Sequence, residues 1–345
     1  MWLLKGLPFV VMLAALVLAP LTLRGFDHLL DASGKNRSYL PSFENRRARK
    51  QFHTEPIERL RIVNPGWVFI GDSMLGTRIH PELLGEIAGQ GDRRVEFLFH
   101  AASGPTYWYL SFKNVLIPSG VRPRMTFFFF RDTNMTDTLF RLQSGLGDAL
   151  DEVAQPEEPA LDAIVASRQR GGWWKVDAAL NHLYEVDTAS AWLQPLVRRW
   201  YAYWKYPQVD ARLRFEQMIE DDFNENFRRD LAADIGDAEE DADFARELPT
   251  SVLPLIAQLS RDHQVPVCFV RVQRRPVGGH PPAQSAGMKH YIEDFRAWAE
   301  SNGACLYDET GDPELTLDLY EDGDHFADRL AYTRLFRRRL DHLFR

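Results

Sequence analysis

Trp67-Val68-Phe69-Ile70-Gly71-Asp72-Ser73 reads as a short, fully apolar strand that ends in a turn and delivers a serine where a helix begins. Four further runs share its character: Val95 to His100, Met125 to Phe130, Val265 to Val272 and Ala304 to Tyr307. Several are continuously apolar, which suits strands of a sheet covered on both faces. Between them, Pro81 to Ala88, Ser251 to His263, Gln284 to Asn302 and Ala327 to Phe344 carry helical patterns. In the second of these Val252, Leu255, Ile256 and Leu259 fall at helical spacing, and Gly303 stops the third. Strands alternating with helices predict an α/β domain built on a parallel sheet.

One gap breaks the alternation. Thr136 to Pro249 is much longer than a strand-to-helix connection needs, so the reading predicts a helical insertion over 137–249 between the third and fourth strands. Its first half is aromatic (Trp173, Trp174, Trp192, Trp200, Tyr201, Tyr203, Trp204) and its second half, Glu220 to Glu247, is acidic. Large aromatics are usually buried, so they are expected to form the core of a helical cap. The alternatives are a groove for an acyl chain or sugar, or a seat at a membrane interface. The acidic run is expected to be a solvated helix face.

Gly6 to Leu23 carries no charge and is bracketed by Lys5 and Arg24, the make-up of a signal peptide or signal anchor. Its 18 residues are the lower limit for crossing a bilayer, and Leu18-Ala19-Pro20 matches a cleavage site poorly. The expectation is an uncleaved inner-membrane anchor over 1–26 and a linker over 27–64, with the α/β domain (65–136 and 250–345) on the periplasmic side. A net charge of -8 argues against a nucleic-acid partner, which needs a basic face. Cys268 and Cys305 lack metal-ligand spacing, and no cofactor motif is present. The two cysteines are read as buried thiols, with a disulfide between neighbouring strands as the alternative in an exported chain.

The chemistry rests on two distant motifs. Ser73 sits at the carboxyl edge of the first strand, where open α/β sheets bind ligands. Near the C-terminus, Asp322-Gly323-Asp324-His325 offers a base, His325, and an acid three residues earlier, Asp322, spaced to accept from its Nδ1–H. Asp324 is expected to point elsewhere. A calcium loop starting at Asp318 is excluded, because Tyr320 and Arg329 would occupy liganding positions. Arg271, Arg274 and Arg275 close the fourth strand at the same edge and are candidate binders of a substrate carboxylate or phosphate, or else a solvated basic loop.

These motifs resemble those of the SGNH, or GDSL-type, hydrolases and acyltransferases. Gly71-Asp72-Ser73 matches the first block and Asp322-x-x-His325 the last. Gly104, after the second strand, matches the oxyanion glycine of the second block. Asp132-Thr133-Asn134-Met135 stands where the family has Gly-x-Asn-Asp, so Asn134 matches and Asp132 and Met135 depart. The resemblance covers roughly Trp67 to Asn134 and Ser251 to Arg345. It implies a flavodoxin-like three-layer α/β/α fold with about five parallel strands. It also implies a serine esterase or O-acyltransferase with Ser73, Asp322 and His325 catalytic, and with Ser73, Gly104 and Asn134 forming the oxyanion hole. Membrane-anchored relatives of similar layout modify envelope or exported polysaccharides, often beside a multi-spanning acyltransferase, so an ester or glycan substrate and such a partner are implied. The competing expectation is a non-catalytic envelope scaffold that binds glycan or a partner through its aromatic insert.

Overall fold

The structure is a computed structural model. It describes residues 54–87, 94–101, 103–140, 150, 152–155, 158–168, 186–211, 213–214, 217–218, 242–276, 280, 283–322 and 324–343, with eight scattered positions between 11 and 25. The chain divides into two compact units, Met1–Gln51 with Ala166–Asp221, and Phe52–Val165 with Asp222–Arg345.

The second unit is built on five strands: β1 (Trp67–Gly71), β2 (Val95–Phe99), β3 (Met125–Phe130), β4 (Val267–Arg271) and β5 (Cys305–Asp308). They pair in the order β2-β1-β3-β4-β5, every pair parallel. Phe69 stands opposite Phe97 on one side and Phe127 on the other. The order reverses direction at β1, whose neighbours are β2 and β3, and such a reversal opens a crevice beyond the strands' carboxyl ends.

The four-phenylalanine run explains how the sheet is covered. Side chains alternate between faces along a strand, so Phe127 and Phe129 point one way and Phe128 and Phe130 the other. Phe127 and Phe129 meet Phe336 at ring distances of 5.7 and 5.6 Å. Phe128 meets Phe112 at 5.6 Å, and Phe130 meets Phe295 at 5.6 Å. Helices thus pack on both faces. Phe336 belongs to α10 (Arg329–Leu343), whereas Phe112 and Phe295 belong to a π-helical stretch (Ser111–Leu116) and to α9 (Ala286–Ser301). All four phenylalanines are fully buried, and each such side chain contributes roughly 1.5–3 kcal/mol on leaving water.

The remaining elements of this unit, in chain order, are α1 (Glu55–Val63), α2 (Ser73–Arg78), α3 (Pro81–Ile87), α4 (Pro105–Leu110), which runs into the π-helical stretch, α5 (Pro159–Arg168), α7 (Phe244–Glu247) and α8 (Leu253–His263). α6 (Val186–Lys205) belongs to the first unit. A two-stranded antiparallel sheet, β6 (Tyr320–Asp322) with β7 (His325–Phe326), precedes α10. The strands and the four expected helices fall within two residues of their expected bounds. α1 lies where a linker was expected. It buries only Ile57 and Leu60 among polar residues, a weak periodic signal.

One expectation about the insertion changes. Trp200, Tyr201, Tyr203 and Trp204 are exposed on α6 and do not form a cap core. Trp173, Trp174, the Trp192 side chain and most of the acidic run lie outside the described residues. The same holds for most of the apolar N-terminal segment; among the described residues no helix is long and apolar enough to cross a membrane.

Cys268 and Cys305 are direct register partners on β4 and β5, with Cα atoms 4.5 Å apart, and form a disulfide. Closing a chain segment of this length stabilises by about 3–4 kcal/mol through the unfolded state. Replacing both cysteines by alanine is therefore expected to lower the urea midpoint by that free energy divided by the unfolding slope. Two titratable thiols in the denatured, unreduced wild type would rule the bridge out.

Candidate active site

Three neighbouring strands deliver the site. Ser73 follows β1, Gly104 follows β2 and Asn134 follows β3, so all three lie at the carboxyl edge where the strand order reverses. Asp72 is almost fully buried and caps α2, accepting from the Met74 N–H at 3.0 Å. That cap fixes the backbone turn from which Ser73 projects. On the other side of the sequence, β7 carries His325, and its Nε2 lies 2.9 Å from Ser73 Oγ. Two residues 252 apart in the chain are thus in direct hydrogen-bond contact.

Asp322 stands opposite His325 in the β6–β7 register. Its side chain lies outside the described residues, so the expected orienting contact falls there too. Asp324, next to His325 in the chain, has a partner of its own. Its buried carboxylate pairs with Arg131. Burial pushes that carboxyl up, but Arg131, with Arg78 and Arg274 behind it, outweighs burial and holds it below its ordinary range.

The backbone N–H groups of Ser73 and Gly104 and the side-chain amide of Asn134 have no hydrogen-bond partner among the described residues. Gly104 is required for a steric reason: a Cβ there would come within 2.4 Å of the Phe140 carbonyl oxygen. Its loop is pinned to β1, because Ser103 Oγ donates to the Gly71 carbonyl at 3.2 Å and accepts from Trp108 Nε1 at 2.8 Å. Asn134 is held by its own N–H, which donates to the Arg131 carbonyl at 3.0 Å.

Asp132 takes a left-handed backbone, φ 52°, a region that favours glycine and that aspartate tolerates better than most residues. Its carboxylate receives two bonds from Arg274, Nε to Oδ1 and Nη2 to Oδ2, both 2.7 Å, and Arg131 Nε lies 3.1 Å from it. The negative charge beside the site is therefore neutralised. Met135 is fully buried and fills core.

The arginine expectation needs correcting. Arg271 is fully buried, donating to the Asp132 carbonyl at 3.2 Å and to Asp308 Oδ1 at 3.3 Å, with Thr310 as a further partner. A guanidinium so occupied holds β3, β4 and β5 together and is not available to a substrate. Arg274 is likewise committed to Asp132. Arg275 is half-buried, and its Nε is enclosed without a hydrogen-bond partner among the described residues.

Sequence reasoning missed Arg78. It is fully buried at the end of α2, and it donates to the Asp324 carbonyl at 2.6 Å and to the Gln273 carbonyl at 3.1 Å. Its guanidinium lies 4.4 Å over the Phe326 ring. It thereby ties the helix that starts at Ser73 to the two residues flanking His325. Only an arginine five residues after Ser73 hinted at this, and most such arginines are solvated.

No protein-family model and no curated protein matches the chain. Among the described residues no three His, Cys, Asp or Glu side chains cluster as metal ligands. A hydroxyl in contact with an imidazole, with unoccupied amide donors at the ends of the flanking strands, suits acyl transfer through a serine nucleophile.

Proposed function

We propose that the protein is an SGNH-like serine esterase or O-acyltransferase, exported and held at the membrane by its N-terminal segment. The observation that carries this reading is the 2.9 Å contact between Ser73 Oγ and His325 Nε2. The open donors at Ser73, Gly104 and Asn134 support it, as does the Cys268–Cys305 disulfide, which suits an oxidising compartment.

In this mechanism Ser73 Oγ attacks the carbonyl carbon of an ester while its proton passes to His325 Nε2. The carbonyl oxygen becomes an oxyanion held by the Ser73 and Gly104 N–H groups and the Asn134 amide. The intermediate collapses, the bond to the alcohol oxygen breaks, and the alcohol leaves with the proton from His325. An acceptor hydroxyl then gives its proton to His325 and attacks acyl-Ser73. The bond between the acyl carbon and Ser73 Oγ then breaks, the acyl group stays on the acceptor, and His325 returns its proton to Oγ. Water as acceptor makes the protein an esterase, and a sugar hydroxyl makes it an O-acyltransferase of a polysaccharide.

The test is covalent. A fluorophosphonate is expected to label the wild-type protein once, at Ser73, and labelling is expected to vanish in Ser73→Ala while folding is retained. Equal labelling of both proteins, or of neither, would leave a binding scaffold as the reading. Following an acetylated Ser73 after addition of oligosaccharide then separates transfer from hydrolysis.

A further inference from the structure

Ten of the fifteen exposed large hydrophobic side chains among the described residues belong to the first unit, and six of them lie on α6. They are Leu196, Val197, Trp200, Tyr201, Tyr203 and Trp204, with Trp200 and Trp204 each 65% exposed. At about 100° per residue these six fall on one side of the helix. The opposite side is already in use: Ala202 is fully buried in a small cluster with Tyr206 and Met218. The helix therefore rests on its own unit by one face and turns an aromatic face outward.

The edges of that face are basic. Arg199 lies beyond Tyr203 on one edge, and Arg198 and Lys205 lie beyond Tyr201 on the other; all three are exposed. An outward stripe of tryptophan and tyrosine bordered by cations on both edges is the composition of a helix lying in a membrane interface, with rings among the glycerol groups and cations at the phosphates. Asp187, Arg198, Arg199 and Lys205 exclude a spanning role. The same compact unit contains the charge-free run Gly6 to Leu23, and its Val11, Met12 and Leu18 are exposed as well.

We propose that the outward face of α6 lies in the surface layer of a bilayer bearing anionic headgroups, as a second, in-plane membrane contact separate from the N-terminal segment. This contact does not depend on the chemistry at Ser73.

The full chain is reconstituted in vesicles of phosphatidylcholine with phosphatidylglycerol, using lipids brominated near the glycerol. Tryptophan emission is compared with that of the W200F/W204F variant, which keeps the apolar face and removes two indoles. The emission lost on substitution belongs to those indoles and is expected to be quenched about twofold by the brominated lipid, the result of rings seated at headgroup depth. R198E/R199E is expected to weaken that quenching in anionic vesicles. A cooperative melt and unchanged Ser73 labelling check that both variants fold.

Absence of quenching of the subtracted emission overturns the proposal. So does a subtracted emission that responds to protein concentration, which means a second copy covers the face, or to added polysaccharide without lipid, which means a glycan groove. A failure of Ser73 labelling leaves this readout untouched, so the two hypotheses fall separately.

Discussion

Ser73→Ala, His325→Ala and the double variant are expected to lose turnover of nitrophenyl acetate to nearly the same extent, on the order of 10⁴-fold or more in kcat. The reason is the shared proton. Ser73 Oγ is a poor nucleophile until His325 Nε2, 2.9 Å away, accepts its hydrogen, and the imidazole has nothing to do once the hydroxyl is gone. Residues that act in one step do not contribute independently. Steady-state kinetics on the three variants decides the matter, with labelling as a check on active-site number. A double variant whose loss is the product of the two single losses would mean the side chains act separately, and the acyl-serine mechanism would fail.

The second large effect is expected at Arg78, which the substrate does not touch. Arg78→Ala removes the guanidinium's bonds to the buried Asp324 and Gln273 carbonyls, of which Gln273 keeps the Tyr320 hydroxyl as a donor at 3.2 Å, opens a void beneath Phe326 and removes the charge next to Glu309. Burial raises the Glu309 carboxyl and Arg78 is the largest influence lowering it, so losing Arg78 raises it further. The expected destabilisation is about 3–5 kcal/mol, the scale found when one partner of a buried charged network is removed. Catalysis is expected to fall mainly in kcat, since the substitution moves His325 relative to Ser73 and leaves the substrate's own contacts alone. Arg78→Lys is expected to recover part of the stability and little of the rate, because an ammonium cannot span both carbonyls in the plane of a guanidinium. An Arg78→Ala protein that melts with the wild type and turns over normally would refute the latch.

Legibility in the sequence followed physical rules. Five strands were readable because a parallel sheet covered on both faces demands unbroken apolar runs, and Phe127 to Phe130 is such a run. Ser73, Gly104 and Asn134 could be picked out because each follows the end of a strand, and His325 because it stands shortly before the last helix, positions that confine the choices. The arginines were not. Arg271 closes an interior strand and Arg275 follows four residues later, yet one is sealed in the domain and the other only half covered; sequence gives no measure of what folds over a strand end. Asp132 stood out only as a departure from the family's glycine, and its positive φ and its two bonds from Arg274 required three-dimensional placement of residues 142 apart. The aromatic helix misled for the complementary reason. Periodicity reveals that α6 has an apolar face but not whether protein or another medium lies against it.

The separation between Ser73 and His325 sets a clock. At about 5–20 residues per second, a ribosome that has just placed Ser73 needs roughly ten seconds to a minute to reach His325, 252 residues later. Under the proposed mechanism the nascent chain carries its hydroxyl without a base throughout that interval and would not be acylated by esters in the compartment where it is made. Under the same mechanism a chain released before His325 is chemically silent too, since the base follows the serine by 252 residues.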